Sequence, residues 1–329
     1  KARSALPVWV LSVGAPGPLR QSQGIVDALA SQVAVQVTQI DLRVRSGFWK
    51  RLGRLLLPRI RHESSWLPHI YEISVPSGNP VLIVSSGGNT LLANALLAQK
   101  TGAVNVYSGT LKGYPAESYQ CIFSVTSLGV ANNHVLPLPP VPGELARPLL
   151  VTSSEKYIAV LIGGDGAGYV YSEKNWRQLA NSLVQLARRE NARLLLTTSR
   201  RTGADVDDLL QQLIPAELLA DAAWWSTSPR KVVRQFLQSS VAVVVTEDSL
   251  TMVAESIYSG RPVIAVSPGV AAPNANDASA LAAYVARGLL TRSGLTDLAE
   301  MELPDKMVMV PDVQSEIAGV LMRLLSGKR

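Results

Sequence analysis

The chain alternates between short runs of aliphatic and β-branched residues and longer segments in which apolar residues recur at helical spacing. A helix that connects two neighbouring strands makes them parallel, so this alternation predicts an α/β fold with parallel sheets. Helices are predicted over 173–189, 204–213 and 249–258. Nine runs are predicted to be strands: 7–13, 33–40, 80–86, 103–109, 121–125, 157–164, 193–199, 241–246 and 262–267.

The segment "PLPPVPGELARP", residues 137–148, interrupts this alternation. It contains five prolines, and proline lacks the N–H group that helices and central strands need. We therefore predict a linker here, between doubly wound Rossmann-like domains at 1–148 and 149–329. The last helix is expected to pack back on the first domain.

Composition limits the class of protein. The chain has 329 residues, of which 47% are hydrophobic, enough for two cores and too many for a disordered or fibrous chain. No apolar run reaches the roughly 18 to 20 residues of a membrane span, and the N-terminal run is too short for a signal peptide. One cysteine, Cys121, and three histidines argue against disulfides and zinc. We expect a soluble, cytoplasmic protein without a metal.

The positive charge is concentrated in one segment. Seven basic residues and no acidic one lie between Leu42 and His62; because the net charge is +6, the rest of the chain carries about −1. A local basic patch favours one anionic partner at one place over a general nucleic-acid surface. The seven residues are Arg43, Arg45, Lys50, Arg51, Arg54, Arg59 and Arg61.

Apolar residues recur at helical spacing inside this basic segment, at Phe48, Leu52, Leu55 and Leu56. Two interpretations stay open. The helix either buries its apolar face in the core and exposes its arginines, or lies on an anionic bilayer and serves a lipid-linked acceptor. In the second case Lys50, Arg51 and Arg54 form the membrane patch.

Polar segments follow three strands of the second series: "GGDGAG", "SRRTG" and "TEDS". In open parallel sheets ligands bind beyond the carboxyl ends of the strands. The glycines, beginning with Gly163 and Gly164, are expected to let a ligand approach bare N–H groups. Arg200 and Arg201 can form bidentate hydrogen bonds to phosphate oxygens. Asp248 or Ser249 can cap the next helix, whose N-terminus favours an anion.

The helix after "TEDS" has two distinct faces. At about 100° per residue, Leu250, Val253, Ala254 and Ile257 share the face toward the sheet, whereas Asp248, Met252 and Glu255 share the opposite one. Glu255 could accept the hydroxyls of a ribose whose diphosphate lies at the helix start. Each feature also has an ordinary explanation: turn glycines, solvated arginines, a simple cap, an exposed carboxylate. Their recurrence at three strand ends favours a ligand site.

Four blocks together resemble the ELM1-like family, which comprises mitochondrial fission ELM1 and its bacterial relatives. They are "VWVLSVGAPGPLRQSQGIVDAL", "LIGGDGAGYVYSEKNWRQLANSL", "LLLTTSRRTG" and "VVVTEDSLTMVAESIYSGRPV". The resemblance covers nearly the whole chain and is strongest over 157–266. It implies a GT-B-like fold, in which two Rossmann-type domains face a central cleft, with the acceptor bound by the first domain and the nucleotide sugar by the second.

The resemblance also implies roles for individual residues. Ser249 and its helix start would hold the diphosphate, Glu255 the ribose, and the loop at 199–202 would lie on the phosphate side. Gly14 to Gln23 would form an N-terminal loop facing the cleft. The nucleotide-sugar-binding set expected on this basis is Gly163, Gly164, Ser199, Arg200, Arg201, Thr202, Thr246, Glu247, Asp248, Ser249, Met252 and Glu255.

The chain departs from the family pattern where catalysis would occur. Val13 and "APGPLR" replace an Asp before the first glycine and a basic or His residue after it. "WWSTSPRKV" replaces Gly-Glu-Asn-Pro-Tyr, and "TSLGVANNH" replaces a His-Asp pair. An inverting transferase needs a general base. Asp165, Asp248 and His134 are candidates, and none matches the family pattern, so either the acceptor side is specialised or catalysis is lost.

These features predict a glycosyltransferase that moves a sugar from a nucleotide-sugar donor to a membrane-linked or glycan acceptor. Arginine and the helix dipole could neutralise the leaving diphosphate, so no cofactor or metal is expected. The expected partners are a nucleoside diphosphate sugar and an anionic membrane surface or lipid-linked acceptor, not nucleic acid; attachment would be peripheral, at the inner face of a membrane. Two alternatives stay open: a nucleotide-sugar epimerase or hydrolase on the same scaffold, and a non-catalytic membrane-associated adaptor, which would not need Glu255.

Overall fold

The computed structural model describes residues 5–57, 67–148, 154–304 and 307–327. The chain divides into two compact units. The first comprises Lys1–Ala146 and Pro311–Arg329, and the second comprises Arg147–Val310.

The first unit is built on a seven-stranded sheet in the order β3-β2-β1-β4-β5-β6-β7. Neighbouring strands are parallel, except that β3 runs antiparallel to β2. The strands are β1 (Leu6–Ser12), β2 (Val35–Val44), β3 (Tyr71–Ile73), β4 (Leu82–Ser86), β5 (Val104–Ser108), β6 (Cys121–Ser124) and β7 (Asn133–Val135). The helices are α1 (Pro16–Ala30), α2 (Gly47–Leu56), α3 (Leu67–Ile70), α4 (Leu91–Thr101) and, from the end of the chain, α10 (Val313–Ser326).

The second unit contains a six-stranded parallel sheet in the order β10-β9-β8-β11-β12-β13. Its strands are β8 (Tyr157–Leu161), β9 (Arg193–Thr197), β10 (Leu219–Ala223), β11 (Ala242–Thr246), β12 (Val263–Ser267) and β13 (Thr291–Gly294). Its helices are α5 (Glu173–Arg189), α6 (Ala204–Leu213), α7 (Val233–Ser239), α8 (Leu250–Tyr258) and α9 (Ala275–Ala286).

Both sheets reverse their strand order once, between β1 and β4 and between β8 and β11. A crevice opens at the carboxyl ends of the strands at such a reversal, because the connecting helices leave toward opposite faces of the sheet. In the second unit this point lies where Leu161 pairs with Val245. The loops "GGDGAG" and "TEDS" therefore begin on either side of it.

Local sequence signals explain why α5 begins and ends where it does. Ser172 caps the helix by accepting from the Asn175 amide, and the Asn175 side chain accepts from the Ser172 amide in return. Arg188 and Arg189 lie in the last turn, where positive charge is favourable. The helix buries Trp176, Leu179 and the other apolar residues of one face against the sheet, so it forms one wall of the second core.

The predicted α/β class with parallel sheets is confirmed, and each of the nine predicted strands is present. Four strands were not predicted: β3, β7, β10 and β13. All four are edge strands. In the described ranges no helix combines the length and the apolarity that crossing a membrane requires.

Candidate nucleotide-binding site

Three loops of the second unit meet at the strand-order reversal. The Gly163 amide, after β8, donates to Thr246 Oγ1 at the end of β11 (2.7 Å). The Gly163 carbonyl accepts from Ser199 Oγ (3.1 Å) and from the Thr202 hydroxyl, both in the loop after β9. The structure thus brings together the polar segments that sequence analysis identified at three strand ends.

Asp248 is the buried carboxylate that joins these loops. Its side chain has no exposed surface. It accepts from the Gly164 amide (3.0 Å), the Tyr171 hydroxyl (3.1 Å) and Arg201 Nη2 (2.5 Å). Burial, followed by the charge of Asp248, raises the pKa of Tyr171, so this hydroxyl stays a donor. Because three donors surround the carboxylate, Asp248 is not placed to take a proton from an acceptor.

The glycines of "GGDGAG" have a different role from the expected one. A side chain at Gly163 would overlap the Asp248 carboxylate, and one at Gly164 would overlap the Arg201 backbone. Gly168 has a positive φ of 88° and lies against the Ala272 backbone. Protein, not ligand, fills the space beside these three residues. The Gly163 and Gly164 amides are likewise used within the protein, so they are not bare N–H groups.

Glu247 is a second buried carboxylate, and its ion-pair partner, Arg292, is half exposed. Only 1% of Glu247 is exposed, and it accepts from Arg292 Nε (2.5 Å), Arg292 Nη2 (2.8 Å) and the Tyr169 hydroxyl (3.2 Å). The hydrogen bond to Glu247 raises the pKa of Arg292. Tyr169, Tyr171 and Arg292 were not predicted from the sequence. The alternating aromatic residues after the glycines were a usable signal for the tyrosines, whereas Arg292 on β13 had none.

The start of α8 has the geometry of an anion site. Ser249 is the N-cap and accepts from the Met252 amide (3.4 Å). The amides of Leu250 and Thr251 have no acceptor among the residues that the structure describes. Such free N–H groups at the positive end of a helix favour a negatively charged ligand.

The two faces of α8 agree with the sequence prediction except at two residues: Leu250, expected toward the sheet, is half-buried, and Asp248, expected on the opposite face, is buried among its three donors. Val253, Ala254 and Ile257 are buried against the sheet, whereas Met252 and Glu255 are half-buried on the other side. Glu255 therefore lies on the face that is not used for the core.

The other candidates are placed as follows. Asp165 is exposed and accepts from the Tyr171 amide (2.8 Å). His134 lies on β7 of the first unit, with Nε2 2.8 Å from Glu316 Oε1. Also in the first unit, the prediction of a loop from Gly14 to Gln23 is wrong, because α1 begins at Pro16, a residue favoured in the first turn of a helix. The Gly14 amide donates to Ser12 Oγ (3.0 Å), and Gln23 is exposed on α1.

Helix α2 does not bury its whole apolar face. Phe48 is 69% exposed and Leu55 is 68% exposed, whereas Leu52 is half-buried, so the interpretation that the apolar face lies in the core holds only in part. Arg51 is exposed; Lys50 donates to the Asn89 side chain, and Arg54 Nη1 donates to the Lys112 carbonyl (3.1 Å). Arg59, Arg61 and the side chain of Leu56 lie outside the described residues.

Comparison with known proteins agrees with this fold. The family described as Mitochondrial fission ELM1 matches residues 143–293. A search of the curated proteins found no match. Among solved structures, MurG from Acinetobacter baumannii has a TM-score of 0.52 at 13% identity, over 97% of this chain and 92% of that one.

Two further structures are similar over nearly their whole length. The glycotransferase of kitacinnamycin has a TM-score of 0.53 at 13% identity, over 99% of this chain and 94% of that one. A putative UDP-N-acetylglucosamine 2-epimerase from Listeria monocytogenes has a TM-score of 0.51 at 12% identity, over 99% and 97%. At these identities the likeness shows the fold. The chain therefore has the fold of the GT-B glycosyltransferases, and its resemblance to the ELM1 family is confirmed over residues 143–293.

Proposed function

We propose that the protein is a glycosyltransferase that binds a nucleoside diphosphate sugar in its second unit and transfers the sugar to an acceptor bound by the first. The observation that carries this proposal is the start of α8, where free amides at a helix N-terminus lie beside the arginine loop that follows β9. Arg201 Nη2 lies 3.5 Å from the Asp248 carbonyl, directly before the Ser249 cap. A GT-B fold is compatible with this activity and does not by itself establish it.

In such a transfer, this site must bind the diphosphate of the donor and release it after the reaction. The leaving diphosphate gains negative charge as the glycosidic bond breaks. Oriented amides and a guanidinium stabilise that charge without reorganising during the reaction. Glu255, one turn beyond Met252 on the same half-buried face, would accept the ribose hydroxyls. Because Asp248 is surrounded by donors, Asp165 and His134 are the candidates for the general base that stay open.

The proposal is tested by thermal unfolding in the presence of a panel of nucleoside mono- and diphosphates and their sugars. A ligand at a hundredfold excess over its dissociation constant should stabilise the native state by about 2.7 kcal/mol. We expect one nucleoside diphosphate to stabilise the protein and Glu255→Ala to remove most of that effect. The variant Glu217→Ala, which removes an exposed carboxylate elsewhere in the same unit, should leave the effect intact.

A dideoxy nucleotide separates the role of Glu255 from a general loss of structure. If Glu255 binds the ribose hydroxyls, then Glu255→Ala should change the binding of the dideoxy diphosphate far less than that of the ribonucleotide. The absence of stabilisation by every nucleotide would favour the adaptor alternative. Conversion of the donor without an acceptor would favour an epimerase or a hydrolase.

We also propose that α2 attaches the protein to an anionic membrane surface, which would suit a lipid-linked acceptor. Phe48 and Leu55 lie seven residues apart, two turns along one side of the helix, and both are exposed. Arg51 lies between them and is exposed as well. Apolar side chains that enter the interface, with basic residues beside them, are the features of an interfacial helix.

Sedimentation with lipid vesicles tests this second proposal. The wild-type protein should bind vesicles that contain anionic lipid, and high salt should reduce the binding because it screens the charges. Charge reversal at Lys50, Arg51 and Arg54 or polar substitution of Phe48 and Leu55 should each abolish it. Arg188→Glu, a charge reversal at an exposed site on α5, is the control. Binding that survives both sets of changes would exclude α2 as the anchor.

A further inference from the structure

The two neighbouring arginines of the loop after β9 have different surroundings. Arg201 turns inward: its Nη1 donates to the carbonyls of Gly164 (3.0 Å) and Asp165 (3.1 Å), and its Nη2 donates to Asp248. Arg200 is exposed and, within the described part of the chain, makes neither an ion pair nor a hydrogen bond. One guanidinium is therefore occupied by protein and the other is available.

Asp248 determines this difference. A carboxylate without exposed surface is costly unless donors surround it, and Arg201 is the only charged donor that the described contacts give to Asp248. If Arg201 turned toward a phosphate, it would leave Asp248 unpaired and two carbonyls without their donor. Binding of a phosphate by Arg200 carries no such cost.

We propose that Asp248 is a positioning residue that holds Arg201 as a structural clamp at the start of α8, and that Arg200 is the arginine of this pair that binds the donor diphosphate. This inference rests on the proposed function, which treats the pair as a single phosphate-side loop. It assigns a different task to each of the two residues.

The conservative substitution separates the two tasks. A lysine provides a charge without a planar fork. It should replace Arg200 at a phosphate, where a point charge suffices, but not Arg201, whose two terminal nitrogens reach four separate oxygen atoms. The experiment therefore compares Arg200→Ala, Arg200→Lys, Arg201→Ala, Arg201→Lys and Asp248→Asn. Binding is measured by titration calorimetry with inorganic pyrophosphate, whose use does not require knowledge of the base, and stability by urea unfolding without ligand.

We expect Arg200→Ala to weaken pyrophosphate binding about ten- to a hundredfold, as the loss of a charge-assisted contact predicts, with an unchanged unfolding midpoint. Arg200→Lys should recover most of the affinity. Arg201→Ala and Asp248→Asn should each lower the midpoint, and Arg201→Lys should not restore it. Because the two residues act on each other, the double variant Arg201→Ala/Asp248→Asn should be less destabilised than the sum of the single variants.

Two results would overturn the inference. One is wild-type affinity in Arg200→Ala; the other is a tenfold loss of affinity in Arg201→Ala with an unchanged midpoint. Failure of the proposed function has a different signature: wild-type protein would bind neither pyrophosphate nor any nucleotide. In that case the proposed role of Arg200 fails too. The clamp is tested separately, without ligand: additive effects of Arg201→Ala and Asp248→Asn on the free energy of unfolding would contradict it.

Discussion

Replacement of Gly24 by alanine is expected to lower the free energy of unfolding by about 3 kcal/mol. Gly24 lies in the middle of α1, where a Cβ atom would overlap the backbone of Val141. The Gln314 side chain of α10 ties the two segments together, donating to the Gly24 carbonyl (3.2 Å) and the Val141 carbonyl (2.8 Å). A clash with backbone atoms is not relieved by a change of rotamer. Helix α1 and the segment that contains Val141 must therefore move apart.

Helix propensity alone predicts the opposite sign for this substitution. Alanine is favoured over glycine in a helix interior by about 1 kcal/mol. Gly319 in α10 is the matched control, because its nearest neighbour is a guanidinium nitrogen of Arg323 at 3.6 Å, which leaves room for a methyl group. Urea unfolding should show Gly319→Ala to be neutral or stabilised. Equal stabilisation of Gly24→Ala would contradict the packing argument.

Replacement of Arg261 by leucine is expected to cost about 3 kcal/mol, since two buried carbonyls lose their donor. Arg261 is fully buried. Its Nε donates to the Leu237 carbonyl (3.2 Å), and its Nη2 donates to the Gln238 carbonyl (3.3 Å), at the end of α7. The last carbonyls of a helix have no N–H partner within it and carry partial negative charge. Arg261 therefore serves as the charged cap of α7.

The matched control is an arginine with a shorter hydrogen bond at the surface. Arg230 lies 2.6 Å from Asp221, and both side chains are exposed. Solvent screens such a pair, so Arg230→Leu should change the unfolding midpoint far less than Arg261→Leu. Arg261→Lys should be intermediate, because one ammonium cannot reach as many acceptors as a guanidinium. Similar midpoints for Arg261→Leu and Arg230→Leu in urea or thermal unfolding would show that α7 does not need its cap.

The central strands and three helices of the second unit, α5, α6 and α8, could be predicted from the sequence, whereas α7 and α9 were not predicted. β4, β5, β8 and β11 lie inside their sheets and are buried almost throughout. A parallel strand with both faces covered needs a continuous apolar run. Such a run can be recognised from the amino-acid sequence alone. The same holds for α8, whose two faces follow from the spacing of its residues.

The edge strands could not be predicted from apolar runs. β13 reads "TRSG", with its first two residues exposed, and β7 reads "NHV". An edge strand covers less of the core and has one strand neighbour, so its composition resembles that of a loop. Its existence depends on the sheet against which it pairs.

The candidate site, too, could be predicted from the sequence only in part. Sequence alone indicated that glycine, arginine and acidic residues follow three parallel strands, because local patterns predict the strands and parallel strands bring their carboxyl ends to one edge. Only the tertiary structure decided which of those groups pair with one another. Arg201 is paired with Asp248, 47 positions away, and Glu247 with Arg292, 45 positions away. Such pairings depend on how the loops pack around buried carboxylates, and the spacing of residues along the chain carries no information about that.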